Sequence, residues 1–91
     1  MAFYTRIHEE HWLFDKLEEG RIVILEDDSI WEVHPSDREI TKRWLRISTI
    51  TVKDTEKGSH PYHLSNRTEG EDARANYLRD SARKNVTGEA A

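Results

Sequence analysis

The sequence has no cysteine and little glycine or proline, with 4 Gly and 2 Pro in 91 residues. Without cysteine, the chain forms no disulfide, no thiolate metal site and no cysteine nucleophile. No glycine-rich phosphate loop occurs, and no serine lies in a Gly-x-Ser-x-Gly elbow. These absences exclude several enzyme classes, so we predict a non-enzymatic protein without a cofactor.

Long apolar runs are also missing, and the mean hydropathy is -0.89. No stretch approaches the roughly 20 apolar residues of a membrane span. The first twelve residues, "MAFYTRIHEEHW", lack the basic and apolar regions of a signal peptide. We therefore expect a cytoplasmic protein that does not associate with membranes.

Apolar and charged residues each make up 35% of the chain. A packed interior is possible only if nearly all the large apolar residues, including three Trp and three Tyr, converge on one core. We predict a single β-rich domain over residues 6–80. Residues 81–91 hold mainly small and polar side chains, and we expect them to form a disordered C-terminal tail.

Charge is distributed unevenly along the chain. Residues 1–37 carry 3 basic and 10 acidic side chains, whereas residues 38–53 carry 5 basic and 1 acidic. The acidic first third argues against a general nucleic-acid binder, and the basic stretch allows a local contact with an anion.

The stretch "RIVILEDDSIWEVH" predicts a β-hairpin with strands at Ile22–Leu25 and Ile30–Val33. Asp27 and Asp28 suit a turn in which one residue has positive φ. Four apolar residues in a row indicate that both faces of the first strand are covered. We expect Trp31 to be a core aromatic residue, although an exposed Trp31 would mark a partner surface.

Three further elements follow the hairpin. Ser36 and Glu39 have the spacing of a capping box and predict a short helix over residues 37–44. "RISTITVKD" alternates as a strand with Ser48, Ile50 and Val52 on one face and Ile47, Thr49 and Thr51 on the other. "YHLSN" predicts a short strand with Tyr62, Leu64 and Asn66 on one face.

Two segments fit either a helix or a strand. Local propensity in "TRIHEEHWLFDKLEEG" favours a helix from Thr5 to Gly20, and a strand ending before Arg21 is the alternative. "TEGEDARANYLRDSARK" has the spacing of a capping box from Thr68 to Glu71, yet its alanines and tyrosine also alternate as in a strand.

The motifs "VILEDDSIWEV", "ITV" and "YHLSN", with a second tryptophan in "KRW", resemble a pattern of small bacterial β-barrel proteins. Those proteins carry an LEDGS-x-W-x-V hairpin, a second Trp and a Y-x-L-x-N strand, over a span matching roughly residues 20–77. This chain has Asp28 where the pattern has glycine, and "LRIST" where a Gly-Asp pair often follows the second Trp. The resemblance implies a small antiparallel barrel whose terminal segments are strands, and it implies no activity.

We therefore predict a mainly β fold: a small antiparallel SH3-like or OB-like barrel of about five strands with one short helical turn. The alternative is an α+β domain with terminal helices.

Two histidine pairs and an acidic turn contain residue types that can ligate metal ions. His8 with His11, and His60 with His63, have H-x-x-H spacing, but neither pair belongs to a recognised zinc signature. Asp27 is explained by the hairpin turn. We expect no metal site.

The segment "KRWLR" places Lys42, Arg43 and Arg46 around Trp44, a combination typical of single-stranded nucleic-acid binding. The alternative is that Trp44 covers one end of the barrel while the basic side chains point to water. We predict a protein-interaction module with an unidentified protein partner, acting through a sheet edge or this basic patch. Single-stranded nucleic-acid binding through these four residues is the alternative function.

Overall fold

The chain forms a small closed antiparallel β-barrel of six strands with one short α-helix in the part that the computed structural model describes, residues 4–55 and 58–80. The mainly β prediction is confirmed, and the architecture is consistent with an SH3-like or OB-like barrel. No helix in these residues is long and apolar enough to cross a membrane. The strands are β1 (Glu10–Leu17), β2 (Ile22–Leu25), β3 (Ile30–Val33), β4 (Thr49–Asp54), β5 (Tyr62–Asn66) and β6 (Glu71–Arg79), and α1 spans Arg38–Thr41.

The barrel joins two three-stranded meanders. β1 pairs with β2 and β2 with β3, while β4 pairs with β5 and β5 with β6. Pairing of β3 with β6 and of β1 with β4 closes the sheet. Each of the six described strands therefore has two neighbours, and none of them presents a free edge of the kind expected as a docking surface.

The β2–β3 hairpin has the predicted strands and turn. Ile24 pairs with Ile30, and Asp28 adopts the expected positive φ of 74°. All four β2 residues are buried. The covering of both faces is confirmed, because Val23 and Leu25 enter the barrel core, while the outer isoleucines join a second cluster that also contains Ile30 and the partly buried Phe14 and Leu78.

Both ambiguous segments are strands, so the helical prediction for residues 5–20 and the α+β alternative are wrong. In β1, His11 and Leu13 point inward and are buried, whereas Trp12 points outward. Pairing with two neighbouring strands satisfies the β1 backbone and outweighs the local helical propensity. In β6, Ala73 and Ala75 fill inward positions.

The predicted helix is shorter than expected. A 3-10 turn over Pro35–Asp37 precedes α1. The capping-box prediction is wrong, because His34 Nδ1 accepts the hydrogen bond from the Ser36 backbone N–H at 3.0 Å. The second predicted box is also wrong, since no helix begins there: Glu71 starts β6, and Thr68 Oγ1 accepts a hydrogen bond from the Thr49 backbone N–H.

The β4 and β5 strands have the predicted inward faces, with Ser48, Ile50, Val52, Tyr62, Leu64 and Asn66 all buried. The core also includes Tyr4, which precedes the predicted start of the domain at residue 6 and is 2% exposed. The predicted disordered tail, residues 81–91, lies outside the described residues.

Gly20 lets α1 pack closely on the β1–β2 connection. The Thr41 hydroxyl donates to the Gly20 carbonyl at 2.7 Å. A Cβ atom on Gly20 would lie 2.5 Å from the Arg38 carbonyl oxygen, and its φ of +91° is unfavourable for other residues.

Candidate functional site

Only part of the predicted basic patch is exposed at the protein surface. Trp44 is 0% exposed, belongs to the core cluster and donates its Nε1–H to Glu71 at 2.8 Å. Lys42 Nζ lies 3.3 Å from a Glu39 carboxylate oxygen, and an Arg43 guanidinium nitrogen lies 3.9 Å from Glu71. The Trp44 ring is therefore placed as the lid interpretation expected and is not accessible to a nucleic-acid base.

Trp31 lies in the core at 0% exposure. Its ring contacts Tyr4, Tyr62 and Tyr77 at centroid distances of 4.8 to 5.3 Å, and its Nε1–H donates to Ser29 Oγ. The tryptophan that follows the acidic hairpin turn thus anchors an aromatic core and is not part of the exposed surface.

A polar cluster joins the N-terminal segment to the hairpin turn. The Tyr4 hydroxyl donates to Asp27 Oδ2 at 2.6 Å, and Arg6 Nε lies 3.1 Å from the same oxygen. His11 Nδ1 lies 3.0 Å from Glu26 Oε2, while His11 Nε2 lies 3.0 Å from the Arg6 carbonyl. Because both His11 ring nitrogens face acceptors, the cluster suits a doubly protonated imidazole.

The titration behaviour of this cluster agrees with its geometry. Burial alone would lower the pKa of His11, but the hydrogen bond to Glu26, a backbone carbonyl and nearby carboxylates outweigh burial and raise it. Burial would raise the pKa of Asp27, yet hydrogen bonds from Ser29 and Tyr4 keep it below its usual value. Burial, with Asp27 beside it, raises the pKa of Tyr4.

His11, Glu26 and Asp27 also bring three potential metal ligands within 4.8 Å of one another. The donor set does not fit a metal ion well, because His11 is 4% exposed and both its nitrogens already have partners. The Arg6 guanidinium already supplies positive charge at Asp27. The cluster is best described as a clamp that fixes the N-terminal segment against the barrel.

The histidines of the two H-x-x-H pairs lie in different surroundings. His8 is exposed, whereas His11 is buried in the clamp. His60 contacts the ring of His34 at a centroid distance of 4.9 Å, and His63 lies on the outward face of β5. In each pair, one histidine therefore lies in a connection and the other in a strand.

The most unusual backbone position is Ile47, just before β4. Its φ is +62°, a left-handed conformation that a side chain branched at Cβ rarely adopts. The Ile47 N–H donates to the Leu13 carbonyl at 2.7 Å, and the Leu13 N–H donates to the Ser48 carbonyl at 2.9 Å. Two residues thus oppose one residue of β1, which is a β-bulge with its first residue in the position that normally favours glycine.

Large apolar side chains are exposed around this bulge. Ile47 is 75% exposed, Leu45 is 68% exposed, and Trp12, next to the bulge partner Leu13, is 47% exposed. The Arg46 guanidinium carbon lies 5.4 Å from the centroid of the Phe14 ring. We call Trp12, Leu45, Arg46 and Ile47 the bulge patch.

Sequence reasoning identified only Arg46 of this patch. The prediction that Ile47 shares a face with Thr49 and Thr51 contained the missing signal, because an isoleucine among threonines lies on the more polar face of the strand. In the structure Ile47 precedes β4 and forms the bulge, so the prediction that it belongs to the strand is wrong. Trp12 lay in a segment whose inward face could not be assigned before its secondary structure was known.

No protein-family model, curated protein or solved structure matches this chain. The chemistry of the bulge patch is therefore inferred from its own side chains and backbone.

Proposed function

We propose that this protein is a small interaction module that binds a protein partner through the bulge patch. The conformation of Ile47 carries the proposal. A bulge of this type is formed more easily by glycine, so a β-branched residue there costs about 1–3 kcal/mol. The side chain returns little by packing within the chain, since 75% of it is exposed.

The neighbours of Ile47 support the same function. Leu45 and Trp12 add apolar area, and tryptophan with arginine is the combination that dominates binding energy at protein interfaces. Large apolar residues exposed at neighbouring positions of the backbone are typical of interaction surfaces, whereas apolar residues exposed singly need no explanation. The absence of free edges on the six described strands favours a side-chain surface over strand addition.

The alternative, single-stranded nucleic-acid binding through Lys42, Arg43, Trp44 and Arg46, has less support. Trp44 is buried, and two of the three basic side chains lie near acidic partners. Titration of a labelled single-stranded oligonucleotide at low and high salt tests this alternative. Strong binding that weakens steeply with salt would favour it, because phosphate contacts release counterions.

Site-specific photocrosslinking in cells tests the interaction module. A benzophenone amino acid at Leu45 is compared with the same group at Lys53, an exposed position in β4 away from the bulge. We expect protein adducts from position 45 that are lost when Ile47→Gly is added. Equal adducts from both positions, or none from position 45, would contradict the proposal.

We further propose a cytoplasmic location, which the lack of cysteine throughout the chain supports.

A further inference from the structure

We propose that the bulge patch recognises an acidic, apolar protein segment whose carboxylate pairs with Arg46 and whose aliphatic or aromatic side chains cover Ile47 and Trp12. This inference rests on the proposed interaction function and specifies the chemistry of the partner.

The charge of the patch is provided by Arg46. This side chain is exposed, and its guanidinium lies over the Phe14 ring. Lys42 and Arg43 already lie near Glu39 and Glu71. Arg46 therefore offers a charged donor, held beside apolar groups, to a carboxylate from outside the chain.

Two occupants from within the protein fit less well. In a symmetric dimer the same patch meets itself, and the patch contains an arginine but no carboxylate that could pair with it. The C-terminal residues 81–91 contain two basic residues, Arg83 and Lys84, against one acidic residue, Glu89, and a single large apolar residue, Val86. Neither complements a basic and apolar surface.

An anionic lipid surface fits less well than a peptide. Glu9 and Glu10, both exposed, precede Trp12 closely in the chain, and a continuous negative surface would meet them together with Arg46. A peptide can direct its carboxylate toward Arg46 and present apolar side chains to Trp12. The mixed charge around the patch thus favours a discrete segment.

A displayed library of short random peptides is the direct test. Enriched peptides are synthesised with a fluorescent label, together with analogues in which each Asp or Glu is replaced by Lys, and binding is measured by anisotropy. We expect enrichment of peptides that combine acidic with aliphatic or aromatic residues. Binding should be lost in Ile47→Gly and Trp12→Ala but retained in Lys53→Ala, a variant outside the patch.

Charge reversal separates the partner chemistry from the function. Arg46→Glu should lower the affinity for the acidic peptide by roughly three- to tenfold and raise the affinity for its lysine analogue. If the enriched peptides are neutral or basic and their binding still depends on Ile47, the proposal of an acidic partner is wrong, while the proposed interaction function is retained. Enriched peptides that are indifferent to both Ile47 and Trp12 would overturn both proposals.

Vesicles of phosphatidylcholine with phosphatidylserine form the remaining arm. If the wild-type protein sediments with these vesicles, the Ile47→Gly variant does not, and no peptide binds, the partner of the patch is a lipid surface and not a peptide. Loss of peptide binding in Ile47→Gly is not attributable to unfolding if that variant is as stable as the wild type or more stable.

Discussion

Replacing Ile47 by glycine is expected to stabilise the protein, although the change removes a large side chain. The φ of +62° places a β-branched residue in the left-handed region, at a cost of about 2–3 kcal/mol, the upper part of the usual range. Glycine adopts this conformation without steric cost. The bulge itself should persist, because its hydrogen bonds to Leu13 use only backbone atoms.

Two opposing terms reduce the gain. Glycine increases the conformational freedom of the unfolded chain, which costs about 0.5–1 kcal/mol. Full burial of an isoleucine side chain is worth about 1.5–3 kcal/mol, so the quarter of Ile47 that is buried contributes about 0.5 kcal/mol. The net expectation for Ile47→Gly is a stabilisation of about 1 kcal/mol, or about 4–8 °C in Tm for a domain of this size.

Urea denaturation followed by tryptophan fluorescence measures this change. Ile47→Ala is the informative comparison, because alanine is normally more stable than glycine by about 0.5–1 kcal/mol in a helix or strand. At a left-handed position the order reverses. Thr51→Gly, at an extended outward position of β4, serves as the matched control and should destabilise the fold. An Ile47→Ala variant more stable than Ile47→Gly would refute the strain on which the function is argued.

Three further predictions concern the rest of the barrel. Gly20→Ala should cost about 3 kcal/mol or more, because its Cβ would collide with α1 in addition to the strain of positive φ, whereas Gly70→Ala, with nothing within 4 Å of its Cβ, should lose only about 1–2 kcal/mol in the same urea assay. Folding raises the pKa of His11 from 6.5, so protonated His11 stabilises the folded state. This contribution to the free energy of unfolding is fully present below pH 6.5 and is lost as pH rises through the folded-state pKa. His11→Gln should remove this part of the pH dependence of thermal stability, and an unchanged profile, or equal loss in His63→Gln, would contradict the clamp. Tyr4→Phe removes the hydroxyl that donates to the hairpin-turn carboxylate and should lower the free energy of unfolding by about 1–3 kcal/mol in thermal melts, so wild-type stability would count against this hydrogen bond.

The inward faces of the barrel could be predicted because they depend on local alternation and on a strong turn signal. The turn at Asp27 and Asp28 determines how its two strands pair. The alternation around Ile50 and Leu64 determines which side chains of those strands face the core. Burial of Trp31 follows from the same pattern.

The terminal strands could not be assigned in this way, because their structure depends on distant partners. β1 divides its pairing between β4, at Glu10 to Trp12, and β2, from Leu13 onward. The clamp brings Tyr4 to Asp27 across 23 positions in sequence. No local pattern records such contacts, and local helical propensity pointed the other way.

The proposed binding surface was identified from a backbone angle at Ile47, which the sequence suggests only indirectly. Asp28 and Ile47 both have positive φ, the conformation that glycine adopts most readily. A short polar side chain tolerates the left-handed conformation, so Asp28 is explained by the turn itself. Isoleucine has no such tolerance and little packing to offset the strain. At Asp28 the turn therefore accounts for the positive φ, whereas at Ile47 the strain is left without an equivalent explanation within the chain and motivates the proposed contact with a partner.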